Sequence, residues 1–350
     1  MKIDIDFNET STRGYSVYID ELKKLSFDTK VAIVTNTTIS ALHLETLLAL
    51  LHVKEYCVIT LEDGEKYKNF DSLNTILNAC FEFRLDRKSL LIAFGGGVIG
   101  DMTGFAASIF QRGIDFIQIP TTLLAQVDAS VGGKTGINNS YGKNLIGTFW
   151  QPRAVYCESA FLKTLPPREF NAGVAEIIKM AVTFDHEFFE WLEVSDLHQE
   201  VHLKTAIQKS VETKARVVAL DEREGGARAV LNYGHTFAHV IENETNYETY
   251  LHGEAVAIGM VMVNALAVAL GFLDVPSAKR IKALLARYNL PTTYTIASVE
   301  KFYNAFFLDK KSANSRITFI LPHYLGGSVI KNDIPKELII NILKDYAHEQ

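Results

Sequence analysis

The feature that most constrains this chain is a change of rhythm at Pro166-Pro167. Before it, short apolar runs at residues 31–35, 56–60, 89–94, 115–119 and 154–157 are four to six residues long and rich in branched side chains. Helix-like stretches lie between them, near 39–52, 69–83 and 101–111. Strand–helix alternation of this kind predicts a mostly parallel sheet covered on both faces, with ligands bound beyond the carboxyl ends of the strands. After the double proline, segments near 168–194, 198–220, 232–247, 253–271, 276–288 and 335–347 carry apolar residues at helical spacing. Only 316–321 and 327–330 read as strands there, as a small hairpin. Neither proline can donate to a ladder or continue a helix, so the pair marks a boundary. The expected fold is an α/β, Rossmann-like N-terminal domain (1–165) followed by a mainly α-helical C-terminal domain (166–350). The cleft between two such domains is the default ligand site.

Composition narrows the function. Hydrophobic residues make up 48% and charged residues 22% of 350, which suits a globular protein with a substantial core. The net charge of −6 argues against nucleic acid as the main partner, because a duplex binder needs a basic face. Cys57, Cys80 and Cys157 form no CxxC pair and are read as reduced thiols. No secretory signal is visible at the N-terminus. From 255 to 273 the only polar side chain is Asn264, and that length approaches a bilayer span. The segment is rich in Ala and Gly and lacks basic flanks, so we read it as a helix buried on all sides.

Four groups of residues could carry chemistry. Gly95-Gly-Gly97-Val-Ile-Gly100-Asp101 follows an apolar strand and opens a helix, satisfying G-x-G-x-x-G in the context that gives the pattern meaning. Its glycines let the backbone approach a pyrophosphate, and a helix N-terminus offers free N–H groups. Two strands precede it, however, and Asp115 begins the following strand, unlike the usual dinucleotide fingerprint. Gly132-Gly133-Lys134-Thr135 imitates the end of a P-loop, yet the glycine required five residues before Gly133 is Asp128. In the second half, His235 and His239 share a helix face, Glu242 follows, and His252-Gly-Glu254 heads the apolar helix. Glu176 and Lys179 lie three apart in a strongly apolar stretch, where a lone carboxylate would be expensive to ionise. A single histidine on an apolar face is usually a satisfied core residue. Two histidines and a carboxylate are also the ligands of a catalytic zinc with an open position. Cations recur at loop-like positions: Arg112, Lys134, Lys143, Lys179, Lys214, Arg228 and Lys310-Lys311. Most lysines belong to a solvated surface, but a cleft gathering several would select a dianion or a phosphate ester.

At these residues the chain resembles the 3-dehydroquinate synthases, within the sugar phosphate cyclases. The matching segments run in order through nearly the whole chain: Asp63-Gly-Glu-Lys-Tyr-Lys68, the glycine turn through Phe105, Gln111-Arg-Gly113, and Pro120 to Thr135. Further on come Gly142-Lys-Asn144, Leu162 to Glu169, Asp221 to Glu224, Leu231 to His239, Leu251 to Glu254 and Asp309-Lys-Lys311. Departures are small, with Ala238 and Val240 in place of Gly and Ala, and a weak match over the first 30 residues.

The resemblance implies a cytoplasmic, NAD-dependent and zinc- or cobalt-dependent lyase acting as a homodimer on a small sugar phosphate, with no nucleic acid or membrane partner. Glu176, His235 and His252 would be the metal ligands, with His239 nearby. Cofactor contacts would fall on Glu65, Lys68, Gly96, Gly97, Asp101, Thr121, Thr122, Asp128, Lys134, Lys143 and Thr164. Substrate contacts and catalysis would involve Lys134, Asn144, Lys179, Lys214, Glu224, Arg228, Asn232 and Lys310 or Lys311, with Arg112 reaching in from a neighbouring subunit. The implied reaction converts 3-deoxy-D-arabino-heptulosonate 7-phosphate to 3-dehydroquinate and phosphate. It proceeds by transient oxidation, phosphate elimination, re-reduction and intramolecular aldol closure. Two other enzyme types share parts of this pattern: another sugar-phosphate cyclase, and a metal-dependent polyol dehydrogenase that would release NADH. A non-catalytic binding protein would have no use for the full set of ligands and cations.

Overall fold

The structure is a computed structural model and describes residues 1–7, 13–308 and 316–347. The elements of the first part, in chain order, are β1 (Lys2–Ile5), β2 (Tyr15–Ile19), β3 (Leu25–Phe27), β4 (Val31–Asn36), α1 (Thr37–Leu50), β5 (Leu51–Val53), β6 (Tyr56–Leu61), α2 (Phe70–Glu82), β7 (Leu90–Gly95), α3 (Gly97–Ile109), β8 (Asp115–Pro120), β9 (Lys134–Asn139), β10 (Gly142–Phe149) and β11 (Ala154–Cys157). There follow α4 (Pro167–Phe184), α5 (His186–Val194), α6 (Glu200–Leu220), α7 (His235–Glu244), α8 (His252–Ala269), α9 (Val275–Arg287), α10 (Val299–Ala305), β12 (Phe319–Tyr324), β13 (Gly327–Lys331) and α11 (Lys336–Lys344). The chain divides into two compact units, Met1–Pro166 with Gln199–Arg223, and Pro167–His198 with Glu224–Gln350.

The first unit is built on a seven-stranded sheet of order β1-β2-β11-β8-β7-β4-β6, in which only β1 and β2 run antiparallel. Side chains alternate across the central strands, as the pleat requires. Ala32, Val34, Leu91 and Ala93 pack on one face with Leu73, Ile76, Met102 and Phe105 of α2 and α3. Val31, Ile33, Leu90, Ile92 and Phe94 pack on the other with Leu47 of α1 and Phe161. Both faces are therefore apolar, which is why these strands read as continuous apolar runs. From β4 the chain goes to β6 on one side and then to β7 on the other, so the carboxyl ends of β4 and β7 flank a switch point. The glycine turn at 95–97 leaves the sheet there.

The sequence reading places residues 198–220 in the helical half, but α6 belongs to the first unit. It buries Leu203, Ile207, Val211 and Val218 and packs on β1, β2 and the turn at Ala125–Ala129. Its amphipathic pattern shows that it is a helix without showing what covers its apolar face. Residues 134–149, which carry no strand pattern in the sequence, form the hairpin of β9 and β10. Lys134 opens β9 and not a helix, so the P-loop-like segment is no P-loop.

In the second unit α8 lies against α4, α7 and α9, with β12 and β13 forming the expected antiparallel hairpin. Among the described residues α8 is the one helix long and apolar enough to cross a membrane, and most of its side chains are instead buried in this unit. Two close approaches set the packing. A Cβ on Gly259 would stand 2.1 Å from the carbonyl oxygen of Gly234, and one on Gly253 would stand 2.0 Å from that of Ala172. Glycine at both positions lets α8 touch the start of α7 and the body of α4. The predicted helix at 168–194 is two helices, because the Asp185 side chain accepts from the Phe188 amide (2.8 Å) and starts α5 afresh.

Candidate active site

Glu176 lies in the middle of α4, one turn beyond Ala172, where Gly253 brings in the start of α8. His252 is the first residue of α8 and His235 the first of α7. The three side chains each offer one ligand atom, and these atoms lie within 4.8 Å of one another. The tautomers follow from the partners. Nδ1 of His235 faces the Tyr233 carbonyl oxygen at 3.2 Å, and Nδ1 of His252 faces Glu242 Oε1 at 3.2 Å. Both partners only accept, so both Nδ1 atoms donate, and in the neutral ring the lone pair then lies on Nε2. The Nε2 atoms turn toward Glu176 Oε1, at 4.0 Å from His235 and 3.6 Å from His252. Metal-binding histidines are held in this way, with the distal nitrogen pinned by an acceptor. The residues present therefore fit a divalent cation with two imidazoles and one carboxylate, the donor set of an open catalytic site.

The surroundings keep this arrangement in place. Lys179, 1% exposed, forms an ion pair with Glu176 Oε2 and compensates a carboxylate that is 0% exposed. Arg168 grips Glu254 with two hydrogen bonds, Nε to Oε1 at 2.7 Å and NH2 to Oε2 at 2.6 Å. Glu254 Oε2 also accepts the Leu251 amide at 2.8 Å, which caps the helix that presents His252. His239 follows His235 by one turn, with ring centroids 5.7 Å apart. The Glu224 carboxylate accepts from the Asn232 amide just ahead of α7, and Arg228 is buried in the same short turn.

The first unit gathers a second group. Lys68 donates to Asp101 Oδ2 at 2.6 Å and to Asn144 Oδ1 at 2.5 Å. Burial works against this ammonium, but the Asp101 and Glu65 carboxylates outweigh it and hold Lys68 above the ordinary lysine value. Asn138 joins the group from two sides, donating to Glu65 Oε1 at 2.7 Å and accepting the Asn144 amide at 2.8 Å. Asp101 lies in the first turns of α3, the helix opened by the glycine turn. Gly96 packs against Thr122, where a Cβ would stand 3.0 Å from the threonine methyl, and Gly97 packs similarly against Ala129. Thr121, buried, follows β8 and donates its amide to the Gly95 carbonyl at 3.0 Å. The loops after β7 and β8 thus form one small-residue cradle, with Asp128 held by Lys214 of α6.

Not every expected residue joins these groups. Thr164 bonds His43 Nε2 at 2.7 Å and the Phe161 carbonyl at 3.2 Å. Arg112 is exposed on a left-handed turn after α3 (φ 70°) and makes no hydrogen bond or ion pair among the described residues. Lys134 is exposed at the start of β9, and Lys143 is half-buried in β10. Lys310 and Lys311 lie outside the described residues. Asn138, Tyr233 and Glu242, to which no ligand or contact role is assigned above, hold functional side chains in place. Glu242 carried a signal, since it lies seven residues after His235 and so on the same helix face. Asn138 carried none, because its role depends on a hairpin register.

Similarity to known proteins agrees with this geometry. Residues 58–172 match the family model described as 3-dehydroquinate synthase N-terminal, and residues 173–312 match 3-dehydroquinate synthase C-terminal. The chain is 63% identical to a 3-dehydroquinate synthase of Sulfurovum sp. (strain NBC37-1), over all of both chains. It is 61% identical, again over all of both chains, to one of Sulfurimonas denitrificans (strain ATCC 33889 / DSM 1251). Among solved structures it is similar to 2-epi-5-epi-valiolone synthase from Streptomyces hygroscopicus subsp. jinggangensis 5008, which has NAD+ and Zn2+ bound. That likeness has a TM-score of 0.87 at 26% identity, covering 97% of this chain and 98% of that one. With both halves matched and relatives aligned from end to end, the chain belongs to the 3-dehydroquinate synthase family.

Proposed function

We propose that this chain converts 3-deoxy-D-arabino-heptulosonate 7-phosphate into 3-dehydroquinate and inorganic phosphate. The observation that carries the reading is the convergence of Glu176, His235 and His252, with both imidazoles pinned at Nδ1, in a chain 63% identical to a protein of that name. When bound, a divalent cation there would acidify a sugar hydroxyl, and NAD+ would take and return a hydride, so that phosphate leaves beside a transient ketone.

The chain's own residues supply binding and orientation. We assign NAD to residues 1–165 and the metal and substrate mainly to 166–350. The glycine turn, Thr121 and Thr122 offer close backbone approach to the cofactor's phosphates. Lys68, Asp101, Glu65, Asp128 and Lys143 would fix the remainder of the cofactor, and the Lys68 network arrives already ordered. Arg228, buried and planar, suits the substrate carboxylate, with Asn232 and Glu224 oriented beside it. Lys134, Lys179, Lys214 and Asn144 provide the positive and polar contacts a phosphate ester requires. His239, next to His235, is placed to hold or pass a proton. The phosphate-eliminating lyase class, a cytoplasmic location and a homodimer in which Arg112 acts across subunits complete the reading.

The test is an incubation of purified protein with the heptulosonate phosphate, Zn2+ and NAD+ at enzyme-equivalent concentration. We expect many equivalents of phosphate per NAD+ and no build-up of reduced nicotinamide absorbance. Steady accumulation of NADH would make the protein a dehydrogenase. Phosphate release only from a sugar phosphate lacking the carboxylate would make it a different cyclase.

A further inference from the structure

We infer that Tyr233 and Asn264 form a buried strut that fixes the His235 imidazole for metal binding, an inference that rests on the metal reading above. Asn264 is the only polar side chain from 255 to 273, and it is 2% exposed in the C-terminal half of α8. Its Oδ1 accepts the hydroxyl of Tyr233 at 2.6 Å, and Tyr233 is fully buried. Its amide nitrogen has no hydrogen-bond partner among the described residues. The next residue, Gly234, has φ +82° and turns the chain into α7, which points the Tyr233 carbonyl back at His235 Nδ1. One tyrosine therefore holds the metal-ligand histidine through its backbone and α8 through its ring.

Energetics argue against a purely stabilising role. Both groups leave water, and one amide donor stays unsatisfied, so an apolar pair of the same shape would hold the core together at least as well. A hydrogen bond adds direction, which apolar packing does not. It stops the tyrosine ring sliding along α8, and the carbonyl that orients His235 is thereby kept in place. Tyr233 and Asn264 are positioning residues: neither offers a ligand atom, and both act through His235.

The test uses the full chain, with Tyr233→Phe, Asn264→Leu and the double variant. Zn2+ affinity is measured by competition with a chromophoric chelator, the visible bands of bound Co2+ are recorded, and metal-free unfolding is followed by heat. Each variant should bind Zn2+ about 10-fold more weakly, the low end of the loss seen when a ligand's outer partner is removed, because here that partner is displaced and not deleted. The double variant should be no weaker than either single one, because both substitutions break the same strut. The Co2+ bands should move, while the metal-free unfolding midpoint of the double variant stays level or rises. Unchanged Zn2+ affinity with unchanged Co2+ bands would overturn the inference. So would affinity losses that follow a falling unfolding midpoint, since that is the mark of lost packing alone. A parent protein without a tight Zn2+ site would remove the metal reading and this inference together.

Discussion

Replacing Glu176 with Ala should abolish tight metal binding and lower phosphate release by about 10^3-fold or more. The carboxylate is the most deeply buried of three donors whose ligand atoms lie within 4.8 Å. Removing it leaves two imidazoles and a neighbouring ammonium, Lys179, which repels a cation. A bound metal stabilises developing charge by several kcal/mol, and about 4 kcal/mol corresponds to about 10^3 in rate. His252→Ala should give the same two losses without placing an unpaired ammonium in the core. The check is metal content by elemental analysis together with phosphate release under saturating NAD+. Stoichiometric metal retained in Glu176→Ala would take this residue out of the ligand set.

The second large effect concerns stability. Lys179→Met should lower the unfolding free energy of the metal-free protein by about 3–5 kcal/mol. That is the usual consequence of removing one partner from a buried pair, because the other charge stays behind without compensation. Here both partners are out of solvent, Lys179 at 1% and Glu176 at 0% side-chain exposure. The loss should shrink when Zn2+ is added, since a cation bound to Glu176 compensates the same charge and stabilises the folded state by mass action. Denaturant unfolding with and without Zn2+ reads both effects. A metal-free variant as stable as the parent would show that Lys179 is not the charge partner of Glu176.

Much of this was legible in the residues themselves. The strands at 31–35, 89–94 and 115–119 announced a parallel sheet because a sheet covered on both faces needs apolar side chains at every position. The glycine turn declared itself through its place between such a strand and a helix, and α3 does start at Gly97. The ligand set was less open to direct reading. Glu176, His235 and His252 are far apart in sequence, and spacing alone could not separate them from His239, Glu242 and Glu254. The family resemblance selected the trio, and the structure brings those three together. What the residues concealed was pairing between elements. The assignment of α6 to the first unit depends on partners distant in the chain. The register of β9 with β10 depends on a tight turn at Ser140-Tyr141 and an irregularity between Gly142 and Ile146 that breaks the strand alternation. The acceptors behind the histidines were hidden for a related reason, since a backbone carbonyl such as that of Tyr233 leaves no mark in composition.

The most direct test of the metal centre is a crystal of the protein grown with Zn2+ and measured at the zinc absorption edge. One anomalous peak should lie about 2.0–2.2 Å from the Nε2 atoms of His235 and His252 and from a carboxylate oxygen of Glu176. A zinc ion bound elsewhere, or one reached by only one of these three side chains, would contradict the account.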